Sequence, residues 1–124
     1  MPFDKQKFVE HLRANALPGF GAGKCAKYVR EALVAGGLNT AGNPLSAKDY
    51  GPFLIRLGFR SVATAMPYAP QIGDVVVMPA NSASIHGHIA GYDGRNWISD
   101  FVQTDMFGGP SYRRAAVFEI FRYP

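Results

Sequence analysis

The apolar residues of this chain change period once, near residue 58, and that single change restricts the folds open to it. Before it, Phe8, Val9, Leu12 and Ala16 lie at the spacing of one helix face, behind an Asp4 able to cap the first turn. Ala26, Val29, Ala32 and Leu33 form a second stripe and predict a helix over 25–35 that Gly36 and Gly37 stop. Ser46 opens a variant capping box with Asp49, and Gly51-Pro52 is expected to interrupt that third segment, leaving a turn and then Phe53 to Leu57, closed by Gly58. Beyond it come short apolar runs bounded by turn residues: 59–64, Val75 to Met78, His88 to Tyr92, Trp97 to Phe101 and 115–123. Asp93-Gly94-Arg95-Asn96 between two of these predicts a hairpin, and 103–112, with Gly108-Gly109-Pro110, reads as a surface loop. Helices first and strands afterward indicate the α+β class, with N-terminal helices packed against one face of a mostly antiparallel sheet.

A chain of 124 residues suffices for one core, so 1–124 is expected to be a single domain, its helical part about 1–58 and its strand part about 59–124. With 48% apolar and 18% charged residues it is neither disordered nor fibrous by composition, and its one cysteine excludes an intramolecular disulfide. No apolar run follows a basic start, and no apolar stretch reaches bilayer length, so neither a secretory signal nor membrane insertion is expected. A net charge of +4 suits an acidic partner such as an anionic cell-wall polymer. The basic residues are scattered, with only Arg113 and Arg114 adjacent, and form no helix stripe, so nucleic acid is not expected as a partner.

The lone cysteine, Cys25, stands where Gly21-Ala22-Gly23-Lys24 turns into the second helix. A helix N-terminus offers free N–H groups and the positive end of the macrodipole, which favour a thiolate and are expected to lower the thiol's pKa toward neutrality. Such a nucleophile needs a base and a group that orients the base. His86 and His88 are two apart and would share a face if both were in the strand; His88 lies deeper in the apolar run, where its position is better fixed. The orienting group depends on hairpin register. If Tyr92 faces Asn96 across a three-residue loop, His88 lies opposite Asp100; if Asp93 faces Asn96 across Gly94-Arg95, the parity flips and Ser99 or Gln103 takes that place. Asp100 is preferred, because a carboxylate between Ile98 and Phe101 needs a partner if buried. Zinc held by Cys25, His86 and His88 is disfavoured, since structural zinc brings more cysteines and catalytic zinc a nearby carboxylate base. No cofactor is implied, because the glycine loop at 19–23 follows no strand and lacks nucleotide-binding spacing.

Three stretches together resemble the NlpC/P60 and CHAP superfamily of papain-like cysteine peptidases and amidases that cut peptidoglycan: Gly23-Lys24-Cys25-Ala26-Lys27-Tyr28-Val29-Arg30, Gly73-Asp74-Val75-Val76-Val77, and Gly87-His88-Ile89-Ala90. The resemblance implies a papain-like fold in which Cys25 attacks an amide carbonyl in a peptidoglycan stem peptide or cross-link. It makes His88 the general base, Asp100 the residue that orients it, and the Cys25 backbone N–H an oxyanion donor. The small size and missing signal are similar to type VI secretion amidase effectors, which implies export by a non-Sec route into a target cell's periplasm. A cognate immunity protein would be a partner, and the enzyme is expected to be a monomer. A phage-type endolysin of the same chemistry, a papain-like acyl transferase and a non-catalytic cell-wall or protein-binding module are the alternatives.

Overall fold

In a computed structural model that describes residues 3–124, Lys5–Asn15 form α1 and Cys25–Ala35 form α2. Asp4 caps α1 by accepting from the Lys7 N–H at 3.0 Å, and the Gly36 and Gly37 N–H groups close α2 on the Ala32 and Val34 carbonyls. A 3₁₀ turn over Ala47–Asp49 runs directly into α3, Tyr50–Leu57. Gly51 and Pro52, expected to break this segment, instead sit in the first turn of α3, where the missing proline N–H has no carbonyl to meet. Ser46 caps nothing with its side chain, because its hydroxyl is engaged by His86 Nδ1 at 2.9 Å.

The strands are β1 (Arg60–Ala63), β2 (Val75–Met78), β3 (His88–Tyr92), β4 (Trp97–Ile98) and β5 (Glu119–Arg122), with a short helix α4 (Pro110–Ala115) before the last. They form one antiparallel sheet in the order β1-β5-β2-β3-β4. The fold is therefore α+β with helices first, as the change of period predicts. Both faces of the sheet are covered, which explains why β2 is an unbroken apolar run. Val75, Val77, Ile89, Ile98 and Phe121 pack with Phe8, Leu12, Leu33 and Leu54 of the helices, while Val76, Met78, Ala90 and Ile120 pack with Trp97, Met106 and Phe118. Each fully buried aliphatic or aromatic side chain contributes about 1.5–3 kcal/mol, so the helix-side cluster dominates cohesion.

At the start of β2 the wholly buried Asp74 carboxylate ties three segments together. Arg122 of β5 donates to it from Nε at 2.8 Å and Nη2 at 2.9 Å, the Gln71 N–H from 2.8 Å, and the Tyr68 hydroxyl donates as well.

The hairpin adopts the second of the two registers, with Tyr92 opposite Trp97 and Gly91 opposite Ile98. Asp93 faces Asn96 across Gly94-Arg95: its N–H donates to the Asn96 carbonyl at 3.0 Å, and its carboxylate accepts from the Arg95 and Asn96 N–H groups. Arg13 of α1 donates to that carboxylate from Nε at 2.8 Å, so a contact with a helix 80 residues away reinforces the turn. β4 also ends at Ile98 rather than Phe101. The chain reverses over 99–102, with the Ser99 N–H bonded to the Phe101 carbonyl and the Gln103 N–H to that of Trp97. The stretch 103–112, expected as a surface loop, is partly interior: Gln103 and Met106 are buried, and α4 begins within it at Pro110.

Candidate active site

Cys25 is the first residue of α2 and is half-buried, with its side chain against the helix-side core. The preceding residue, Lys24, places no side-chain cap on the helix, so the first-turn N–H groups are left for other acceptors. α2 packs against β3, and the Ile89 backbone N–H, on the residue that follows His88, is among the groups that act on the Cys25 thiol. Gly23, Lys24, Ala26, Lys27, Leu45, Ala47 and His86 complete a groove of about 270 Å³ around it.

The helix start does not dominate the thiol's acidity as the sequence suggests. Burial pushes the Cys25 thiol up from its ordinary value, and the negative charge of Asp100 adds to this; the N–H groups of Ile89, Ala26 and Cys25 itself oppose the rise without cancelling it. At neutral pH the group is a thiol, and chemistry at sulfur requires a base.

His88 opens β3 and is buried, with the Tyr112 ring tilted over it at 5.4 Å between centroids. Its Nε2 lies 2.6 Å from Gln103 Oε1. Gln103 Nε2 uses its two N–H groups on the Asp105 and Met106 carbonyls, at 3.0 and 3.1 Å, which fixes the amide oxygen toward the ring. An amide oxygen only accepts, so His88 carries its proton on Nε2 and presents Nδ1 as the free lone pair. Gly108 closes against this pair: its φ is +74°, and a Cβ there would lie 2.8 Å from His88 Nε2.

Burial pushes the His88 pKa below its ordinary value, opposed by the Gln103 hydrogen bond and by the Asp100 charge. The ring is therefore neutral at pH 7. The unfolded chain binds the proton more readily, so His88 contributes stability that is complete above about pH 6.5 and is lost as pH falls through its lower folded value. Titration of the ring by NMR is expected to show a midpoint below 6.5; a midpoint at or above 7 would contradict the buried neutral ring.

Asp100, expected beside His88, makes no hydrogen bond to it. Its Oδ2 accepts from the Ala22 and Lys24 N–H groups at 2.8 and 2.9 Å, and its Oδ1 from the Ser99 hydroxyl at 3.4 Å. The register flip and the early end of β4 are the physical reason: both turn Asp100 toward the loop before α2. Gln103, the alternative in that register, takes the place beside the ring. His86 is exposed outside β3 and bonded to Ser46, so it does not share His88's place in the strand. Among the described residues no three His, Cys, Asp or Glu side chains come together as a metal site. Among them, too, no helix is long and apolar enough to cross a membrane.

The α+β chain thus places a cysteine at a helix start and, on the adjoining strand, a neutral histidine held by an amide. No protein-family model matches the sequence, and no curated protein does. Solved structures do. The crystal structure of the native type VI effector-immunity complex Tae3-Tai3 from Ralstonia pickettii is similar with a TM-score of 0.84 and 38% identity, over 98% of this chain and 100% of the matched one. The selenomethionine form of that complex matches with a TM-score of 0.80 and 38% identity, over 92% and 97%. The chain belongs to the Tae3 family of type VI effectors.

Proposed function

We propose that this protein is a cysteine amidase that hydrolyses an amide bond in peptidoglycan stem peptides or cross-links and acts as an antibacterial effector. The observation that carries the reading is the Gln103 amide, which leaves His88 Nδ1 as the base on the strand that meets Cys25. Nδ1 takes the thiol proton as sulfur attacks the amide carbonyl. The oxyanion meets the Cys25 N–H at the start of α2, a kind of donor whose loss costs about 10²–10³ in rate. The imidazolium then protonates the leaving amine, and the thioester remains. Water, deprotonated by the same nitrogen, hydrolyses the thioester and returns the thiol.

Lys24, Lys27 and His86 on the groove suit a peptide that carries free carboxylates. The complex that the chain resembles pairs an effector with an immunity protein, which supports a cognate immunity protein as partner here and delivery into the periplasm of a target cell. Digestion of purified sacculi is expected to release soluble fragments with new amino ends, whose masses identify the bond cut. One equivalent of iodoacetamide on Cys25 is expected to stop it. Sacculus binding without soluble fragments, or cleavage that survives complete alkylation, would overturn the proposal.

A further inference from the structure

Asp100 is 2% exposed, and its hydrogen bonds converge on the connection between α1 and α2. Its carbonyl accepts from the Leu17 N–H at 2.8 Å near the start of that connection, and its Oδ2 accepts from Ala22 and Lys24 at the end. The loop is shaped to admit the carboxylate. Gly21 and Gly23 have φ of +75° and +72°, and a Cβ on Gly21 would lie 2.7 Å from the Asp100 carboxyl carbon.

We propose that Asp100 is the positioning residue of the nucleophile: its carboxylate gathers the Ala22 and Lys24 N–H groups and so fixes Cys25 at the first position of α2. This rests on the reading of Cys25 as nucleophile and assigns Asp100 to the thiol rather than to the base. A buried anion that accepts two N–H groups beside a helix start competes with a thiolate for the same positive field. The burial-driven rise of the Cys25 pKa carries a contribution from Asp100 in the expected direction. The other titratable groups around the thiol are His88 on β3, Tyr50 on α3, Tyr112 on α4, and Lys24, Lys27 and His86 at the groove; Asp100 alone among these carries a carboxyl group.

The test uses Asp100→Asn, which keeps an oxygen able to accept both N–H groups but removes the charge, beside Asp100→Ala, which removes both. On muropeptides, Asp100→Ala is expected to lose about 10² in kcat with little change in KM, the scale of a nucleophile displaced by about 1 Å, and Asp100→Asn to recover most of it. Independently of any hydrolysis, the pH at which iodoacetamide alkylation of Cys25 reaches half its maximal rate is expected to move down in Asp100→Asn. The move is expected to persist in a His88→Ala background. Equal loss in both variants, an unmoved alkylation profile, or a shift that vanishes without His88 would each overturn the proposal. Should Asp100→Ala not fold, Gly21→Ala, whose Cβ meets the same carboxylate, is read in its place. If the wild type cuts no peptidoglycan, the amidase reading fails while the alkylation arm still decides the role of Asp100.

Discussion

Cys25→Ala is expected to abolish hydrolysis of purified sacculi, a loss of at least about 10⁴-fold, while the protein remains folded. The rate collapses because the chain has one cysteine and the proposed reaction passes through a thioester at its sulfur. His88 has no comparable nucleophile to deprotonate in its place. Folding survives because the side chain is small and half-buried, so removing one sulfur costs well under the 2–5 kcal/mol of a core Leu→Ala change. Cys25→Ser makes a sharper control, since it keeps the shape but replaces the thiol with a far weaker acid. Release of soluble fragments, followed beside a thermal melt, checks both halves, and undiminished release by the alanine variant would remove Cys25 from the mechanism.

The largest loss of stability is expected on truncating Asp74. Its carboxylate is wholly buried and receives Arg122 Nε and Nη2, the Gln71 N–H and the Tyr68 hydroxyl. Asp74→Ala leaves the guanidinium, whose side chain is only 24% exposed, without its counter-charge. Breaking a buried pair from one side typically costs about 3–5 kcal/mol, because the remaining charge is left uncompensated. Against a total of about 5–15 kcal/mol for a domain, that is about 30–50% of the stability at mid-range. A urea midpoint that falls with unchanged slope would report it; a change below about 1 kcal/mol would mean the cluster relaxes into water at little cost. Both predictions bear on the same sheet, because β2 lies between β5, which carries Arg122, and β3, which carries His88.

What the sequence reveals of this molecule follows the range of the interactions involved. The Asp4 cap, the Gly36-Gly37 stop and the apolar stripes act within a few residues, and α1 and α2 are legible to within a residue at each end. β2 is legible because a strand covered on both faces must be apolar throughout. Hairpin register is a different matter: Asp93-Gly94-Arg95-Asn96 permits two parities, and the observed one is reinforced from outside the hairpin by Arg13 on α1. Everything that hangs on that parity is equally long in range. Asp100 turns to Ala22 and Lys24, 78 and 76 residues away, and Gln103 is buried in a stretch of polar and glycine residues because its amide has His88 and two carbonyls to satisfy it. Polar residues that read as surface become interior when remote partners complete their hydrogen bonds. Cys25 and His88 stand out in the sequence because their chemistry is rare there. Their supporting groups do not: glycine and aspartate recur along the chain, and Gln103, one of three glutamines, has no reactivity of its own to mark it out.

Trp97 is the only tryptophan in the chain, lies tilted against Tyr92 with ring centroids 5.0 Å apart, is 6% exposed, and accepts the Gln103 N–H on its carbonyl at 2.9 Å. The molecule thereby contains a single tryptophan fluorophore, anchored to the backbone of the residue that fixes the imidazole. Its emission reads the state of that residue without a label, so occupancy of the cleft and loosening of the His88 support can be followed optically in the unmodified protein.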